Sequence, residues 1–377
     1  MSNIVAFRRQ GALAPGQNLA RLVQGVTQQR RADDDVFWLK EVAELLGVMA
    51  AAQPGLSPDA LAPLARFYAA LEDRLRFYPQ YYRFLLSISL DLEDLGLPGS
   101  TGETIAHWVA AQNLPEAELS DLQRAEARRL LARRGAHAGP HHGALAQRLH
   151  RFMDQSAQFA LPNKKAGYEL THIVFYLSDY GRHDPGLSAD ALQSLIYVGV
   201  LAVLDQDMDL LAEVCIAQRF AGQQPPEQWE AAVSQAHDAV RFGMDAAAPL
   251  NDGYHGYLVT GWAQAAAGRG GFEAPVPDGP LRITFDRQAP SVLRAMSECL
   301  FDLGPARSAD WEAMRGRVMA SLMPQEHEVL YHAEQSVGCF AQFFEYFARA
   351  GRITGKTTTR DPRRLHASEP EGRVRLH

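Results

Sequence analysis

The sequence predicts an all-α protein, built as a compact assembly of about twelve to fourteen helices. Helix-forming Ala, Leu, Arg, Glu and Gln are abundant, whereas β-branched residues are sparse and no region reads as a series of alternating strands. Apolar residues recur at helical spacing through most of the chain, and short turns with Pro or Gly separate the runs. Helices paired in this way pack as a bundle or curl into an α/α toroid, and we expect the toroid or a related compact assembly.

The helical pattern defines one domain over residues 34–350. Residues 1–33 are polar and rich in Gln and Arg, so we predict a polar N-terminal arm there, with one possible short helix around residues 19–26. The following helices are predicted over 36–51, 58–76, 81–96, 103–111, 116–134, 144–159, 166–180, 188–204, 208–220, 227–242, 253–267, 291–300, 309–321 and 325–350. The loop GAHAGPHHG at 135–143 leaves a sub-division open, and the basic tail 351–377 is predicted to be disordered.

One long connection interrupts the helices. Residues 268–290 are rich in Gly and Pro, and LRITF at 281–285 could form a short strand. A connection of this length in a compact domain is often a lid or a binding loop. We therefore expect this segment to cover the opening of a cavity.

Composition and charge exclude several classes of partner. The 377 residues carry a net charge of −7, which argues against a nucleic-acid binder and against attraction to an anionic membrane surface. The longest apolar run, 195–204, is about half the length of a membrane span. A small-molecule substrate is the expected partner, and a homo-oligomer is left open.

Cysteine usage and the N-terminus favour a cytoplasmic protein. Cys215, Cys299 and Cys339 are widely spaced, form no CxxC and are predicted to be free thiols. The N-terminal residues include an arginine pair without the apolar region of a secretory signal.

A basic cluster lies in the predicted helix 116–134. It comprises Arg124, Arg128, Arg129, Arg133 and Arg134. Glu118, Asp121 and Glu126 lie among these residues, so we interpret the cluster as a solvated helix face.

The most informative segment is the predicted helix from Tyr168 to Tyr180. Glu169, His172, Tyr176 and Asp179 follow one another at helical spacing and share one stripe. The rest of the helix is so apolar that both faces are expected to be packed, which places this stripe inside the protein or against a cavity.

Three interpretations of this stripe remain open. Glu-x-x-His is a spacing that helix bundles use to bind iron or manganese, and His with carboxylates also suits zinc. His172 could instead be a general acid or base, oriented by Glu169 or Asp179 with Tyr176 beside it. The third interpretation is a buried hydrogen-bonded network that only fixes helix packing.

Two further helices carry a histidine with an acid nearby. Asp252 and His255 begin the predicted helix 253–267, and Glu328 and His332 are four residues apart in the helix 325–350. If the three helices converge, His172, His255 and His332 would form a three-histidine metal site with Glu169 and Glu328. The metal would be zinc, iron or manganese.

Several common catalytic motifs are missing from the sequence. It contains no GxGxxG after a strand and no GxxxxGK[ST], so no nucleotide cofactor is expected. It also contains no GxSxG elbow and no HExxH. These absences leave the reaction class undefined.

The run ELTHIVFYLSDYG at 169–181 resembles the motif ELTHxxFYxxDxG of an uncharacterised bacterial all-helical family. Genes of that family often lie near secondary-metabolite genes. FYPQYYRFLLSISLDLEDLG and YHGYLVTGWA extend the resemblance over about 35–350. It implies the fold and a biosynthetic setting in secondary metabolism, but no activity.

We therefore expect an enzyme that acts on a small, partly apolar metabolite in a cavity within the helical domain. His and carboxylate groups would supply acid–base or metal-assisted chemistry. The residues expected to line the cavity are Tyr82, Phe175, Tyr176, Tyr254 and Trp262. The alternative is a non-catalytic helical scaffold or binding protein whose buried His and acid groups are packing networks.

Overall fold

The computed structural model describes residues 15–139, 142–285 and 290–351. Within these residues it contains eighteen α-helices, several short 3-10 turns and one two-stranded antiparallel sheet, which confirms the predicted all-α class. The helices are α1 (Pro15–Gln28), α2 (Val36–Ala52), α3 (Ala65–Ala69), α4 (Leu71–Phe77), α5 (Tyr82–Asp94), α6 (Thr101–Ala111), α7 (Asp121–Ala132), α8 (His142–Met153), α9 (Ser156–Phe159), α10 (Lys164–Leu177), α11 (Ala189–Asp205), α12 (Met208–Phe220), α13 (Glu227–Asp238), α14 (Tyr254–Ala266), α15 (Leu293–Asp302), α16 (Trp311–Ser321), α17 (Pro324–Ser336) and α18 (Phe340–Phe347). The strands are β1 (Val240–Gly243) and β2 (Arg282–Phe285). Among these described elements, no helix has the length and apolar character needed to cross a membrane.

Six helices form a closed ring. α2 packs against α5, α5 against α7, α7 against α10, α10 against α12 and α12 against α14, and α14 returns to α2. Outer helices lie over the grooves of this ring: α6 contacts α5 and α7, α11 contacts α10 and α12, and α13 contacts α12 and α14. Inner and outer helices therefore alternate along the chain, which is the arrangement of an α/α toroid.

Side-chain caps start the helices that later form the site. Asp35 caps α2, Asn163 caps α10 and Asp207 caps α12, each by accepting a hydrogen bond from a backbone N–H two or three residues further on. A cap of this kind stabilises a helix by about 1 kcal/mol. α12 is buried without interruption from Leu210 to Gln218, because other helices surround it.

The segment that closes the ring is held by ion pairs. The Arg30 guanidinium, which is fully buried, binds both carboxylate oxygens of Glu41 in α2 and both of Asp252 just before α14. The Tyr254 hydroxyl donates to the Glu41 carbonyl at 2.6 Å. These contacts between residues far apart in the sequence hold α2, the first inner helix, against α14, the last.

The predicted N-terminal arm contains a packed helix. α1 is amphipathic and buries Leu19, Leu22, Val23 and Val26 in the main core. The possible short helix around residues 19–26 is therefore confirmed, but it is longer than expected, and a polar arm does not describe Pro15–Gln28, because the few apolar residues of this segment share one helical face. Residues 1–14 and the predicted tail from 352 lie outside the described residues.

The predicted lid is, where described, a packed connection. β2 pairs with β1 in the register Val240↔Phe285, which confirms the predicted strand. Phe272 and Val276 are buried, and Asn18 of α1 makes hydrogen bonds with the backbone of this stretch at 2.7–2.8 Å. None of the described residues of 268–290 lines the cavity inside the ring.

Some predicted long helices are divided. The predicted helix 58–76 begins as a 3-10 turn around Pro63, which lacks a backbone N–H, and continues as α3 and α4. The predicted helix 227–242 ends at Asp238, before β1, and the predicted helix 325–350 is interrupted at the extended residue Val337. The last four helices pack outside the ring, since α15 and α17 contact α11, α17 also contacts α13, and α18 contacts α9.

Candidate functional site

The ring encloses a cavity of about 240 Å³ to which all six inner helices contribute. Glu44 of α2, Glu213 of α12 and His255 of α14 line one side. Arg129 and Arg133 of α7 line the other side, because α7 lies across the ring from α14. The cavity therefore has an acidic, imidazole-containing wall and a basic wall.

Glu213 is the central residue of the acidic wall. Its carboxylate is buried, accepts a hydrogen bond from the Thr171 hydroxyl and lies between two imidazoles. Glu213 Oε2 is 3.5 Å from His172 Nδ1, and Glu213 Oε1 is 3.7 Å from His255 Nε2. One carboxylate thus connects histidines of two different inner helices.

His172 is held in a defined orientation. Its Nδ1 lies 2.7 Å from the Tyr168 carbonyl oxygen, which can only accept a hydrogen bond, so Nδ1 carries the proton. In the neutral ring the lone pair is then on Nε2, the nitrogen suited to accept a proton.

His255 is surrounded by carboxylates without close hydrogen bonds to them. Its Nε2 is 3.4 Å from Asp209 Oδ1, and its Nδ1 is 3.7 Å from Glu44 Oε2. His255 Nδ1 and Asp209 Oδ1 are buried atoms that have no hydrogen-bond partner among the described residues. Leaving a buried polar atom without a hydrogen-bond partner lowers the stability of the folded protein. A bound ligand would remove this cost.

The charges of this wall shift one another's pKa. Burial would lower the pKa of His255, but Glu213, Glu44 and Asp209 outweigh burial and raise it to about 11. Burial raises the pKa of Asp209 to about 7, against the attraction of His255. Burial would also raise the pKa of Glu213, but His172, His255 and the Thr171 hydroxyl hold it below its usual value.

Asp209, Glu213 and His255 can also hold a cation together. One ligand atom from each lies within 4.8 Å of the other two, and among the described residues this is the one group of three or more such side chains. Carboxylate and imidazole ligands suit zinc, iron or manganese. Asp209 Oδ1 has no hydrogen-bond partner among the described residues and is therefore available to bind such an ion.

Five of the predicted site residues line the cavity. His172, Phe175 and Tyr176 come from α10, and His255 and Trp262 come from α14. Phe175 and Trp262 have ring centroids 5.0 Å apart, so they form an apolar surface between the two polar walls.

His332 and Glu328 are not part of this site. Both are exposed on α17 and line a separate cavity beside α13. The predicted convergence of three histidines fails for His332, because α17 packs on outer helices and does not reach the inside of the ring.

Four other predicted residues also lie outside the cavity lining. Glu169 is half-buried on α10, and Asp179 is bound to Arg129 at 2.9 Å and to Arg182 at 3.2 Å. Tyr82 is buried elsewhere, and Tyr254 uses its hydroxyl at the ring closure described above.

Two acids of the cluster, Glu213 and Asp209, are not among the predicted site residues. Glu213 is the one charged residue in the apolar run LLAEVCIA, and that isolation was the available signal. Asp209 follows Asp205 and Asp207 at alternate positions between two helices, a pattern that is typical of turn and cap residues. Asp205 and Asp207 do lie at that turn and bind Lys164, whereas Asp209 faces the cluster.

The interpretation of the basic cluster as a solvated face is wrong for Arg129 and Arg133. Their side chains are 11% and 6% exposed and line the cavity. The acids beside these arginines are not evidence that the arginines are exposed to solvent, because Glu126 lines the same cavity and pairs with Arg83.

The family model described as Domain of unknown function (DUF6902) matches residues 1–350. The chain therefore belongs to this family. Neither the curated proteins nor the solved structures include a match to the chain.

Proposed function

We propose that this member of the family is an enzyme that acts on a small, partly apolar metabolite inside the helical ring. In this proposal Asp209, Glu213 and His255 bind a divalent metal ion, and His172 acts beside it as a base. The observation that carries the proposal is the buried Glu213 carboxylate between two imidazoles, next to the unpartnered Asp209 Oδ1, which lies 3.4 Å from His255 Nε2.

The charge of the cluster supports a cation at this position. Glu44, Asp209 and Glu213 bring three carboxylates into one largely buried volume, where unpaired charges are unfavourable. Protons on His255 and Asp209 compensate part of this charge, and the raised pKa values of both groups express that need. A divalent ion would replace these protons, so we expect metal affinity to rise with pH.

A bound ion would supply Lewis acidity, and zinc, iron and manganese are the candidates. Glu213 lies beside both histidines, and the Tyr168 carbonyl keeps the lone pair of neutral His172 on Nε2. His172 can then accept a proton from a substrate bound in the cavity.

The apolar part of the cavity supports a partly apolar metabolite. Phe175, Tyr180 and Trp262 form a continuous aromatic surface, with Tyr180 stacked on Trp262 at a centroid distance of 5.6 Å. Leu258 and Val259 extend this surface along α14. A setting in secondary metabolism, which the ELTHxxFYxxDxG resemblance implies, stays a prediction.

Metal analysis tests the proposal against the packing-network alternative. The purified protein is stripped with a chelator, desalted and titrated calorimetrically with Zn²⁺ and Mn²⁺, and with Fe²⁺ under anaerobic conditions. We expect one ion per chain for at least one metal. Glu213→Gln and His255→Ala should abolish binding. The matched control His332→Ala removes an exposed histidine that also lies near an acid, and it should bind like the wild type.

The absence of metal binding would favour the packing network instead. If none of these ions binds to the wild-type protein, while Glu213→Gln and His255→Ala lower the melting temperature, the cluster is a packing network. The proposed metal-assisted function would then be wrong.

A further inference from the structure

Two arginines of the basic wall have guanidinium N–H donors that no described residue accepts. Arg129 is on α7 and Arg133, four residues later, is the C-cap residue that continues its helical backbone, so both lie on the face that lines the cavity. The Nε atoms of both are buried and have no hydrogen-bond partner among the described residues. Two adjacent guanidinium groups with unpartnered donors in one cavity favour an acceptor that carries negative charge.

Acidic partners hold these arginines in position without using all of their donors. Arg129 Nη1 donates to Asp179 Oδ1 at 2.9 Å, and Arg133 Nη2 lies 2.8 Å from both Asp91 Oδ1 and Asp94 Oδ2. Asp179 and Asp94 lie outside the cavity lining, so they hold the guanidinium groups from the side that faces away from the cavity. A guanidinium has further N–H groups that can bind a second oxyanion.

The acids of the basic wall do not cancel its preference for anions. Asp91 and Glu126 line the cavity, but Asp91 pairs with Arg133, and Glu126 pairs with Arg83. Arg182 also lines the cavity and is 41% exposed. The lining of this wall therefore contains more arginines than carboxylates.

Aromatic rings connect the basic wall to the apolar surface. The Arg129 guanidinium lies 4.5 Å from the centroid of the Tyr180 ring, and Tyr180 stacks on Trp262. This cation–π contact fixes the plane of the guanidinium and leaves its edge for a planar or tetrahedral oxyanion.

We propose that the substrate carries an oxyanionic group, a carboxylate or a phosphate, which Arg129 and Arg133 bind. Its apolar body lies against Trp262 and Phe175, and its other end reaches the Glu213 cluster across the ring. This assignment of a substrate class rests on the proposed function, but anion binding is measurable without the metal.

Calorimetric titration of the metal-stripped, desalted protein tests the inference with two probes. Inorganic phosphate represents the phosphate source, and benzoate represents a carboxylate on an apolar body. We expect saturable binding of at least one probe at one site per chain, and the tighter probe identifies the source. Arg129→Gln should weaken that binding about tenfold or more, because it removes charge-assisted hydrogen bonds.

Two further variants keep the test decisive. Arg129→Lys retains the charge but loses the planar donor geometry, so we expect an intermediate affinity. Arg148→Gln on α8 removes a positive charge outside the cavity, where Arg148 binds Asp121, and it should leave anion binding unchanged. Urea unfolding of each variant reports whether it is folded.

The outcomes separate this inference from the proposed function. Metal binding without saturable binding of phosphate or benzoate overturns only the oxyanion site, as does equal weakening by Arg129→Gln and Arg148→Gln. Anion binding that depends on Arg129, in a protein that binds no metal, supports the oxyanion site and overturns the metal proposal.

Discussion

Replacing Asp209 with asparagine should make the metal-free protein more stable at pH 8 and should abolish metal binding. Burial raises the pKa of the Asp209 carboxyl from its ordinary 3.8 to about 7 in the folded protein. The folded state therefore favours the protonated acid. This contribution to stability is fully present below about pH 4 and is lost as the pH rises through about 7.

The difference between 3.8 and about 7 corresponds to about 4 kcal/mol once Asp209 is ionised in both states. The Asp209 side chain is 27% exposed, so solvent screens part of this cost. We therefore expect Asp209→Asn to raise the free energy of unfolding by about 2–4 kcal/mol at pH 8. The difference between the variant and the wild type should be much smaller near pH 5.

Urea denaturation of chelator-treated protein at both pH values measures this difference. Asp207→Asn is a matched control, because Asp207 is two residues away but caps α12 and binds the exposed Lys164. It should change the stability by less than about 1 kcal/mol at either pH. If Asp209→Asn destabilises the protein equally at pH 5 and pH 8, the electrostatic description of the cluster is wrong.

Three further predictions concern the fold. Arg30→Met should cost about 3–5 kcal/mol in urea unfolding, because it takes the cation away from the buried Asp252 and leaves Glu41 with Arg31 alone, and a smaller loss would contradict the ion-pair description. Gly199→Ala should cost at least about 1–3 kcal/mol, because its Cβ would lie 2.2 Å from the Trp229 ring, and an unchanged melting temperature would show that the ring can move. Cys215 should react with a thiol reagent far more slowly than the other two cysteines, because burial raises its thiol pKa; equal labelling in the native protein would contradict that burial.

Local patterns were sufficient to predict the helices of the site. α11 begins at the predicted position, directly after its cap Ser188, and the stripe on α10 does bring His172 and Tyr176 to a cavity. These features depend on spacing within one helix, which a sequence displays directly. The same reasoning placed Asp179 on the stripe, but α10 ends at Leu177, and Asp179 has a positive φ of 45°.

The composition of the site depended on which helices become neighbours, and spacing cannot reveal that. His255 was identified because an acid stands near it in the sequence, yet its actual partners are Glu44, Asp209 and Glu213 from other helices. His332 has the same local pattern and lies outside the ring. The two histidines differ only in the helices against which their own helix packs.

The closure of the ring has a consequence for biosynthesis. Arg30 and Asp252, which bind each other at the closure, are separated by 222 residues. A ribosome adding about 5–20 residues per second needs about 10–45 s to translate that interval. Until α14 is made, α2 can pack against α5 on one side but lacks its neighbour on the other, so the face of α2 that α14 contacts stays uncovered. The cavity that Glu213 and Arg129 line can therefore form only after α14 has been made. We expect folding to be slow and to be assisted by chaperones.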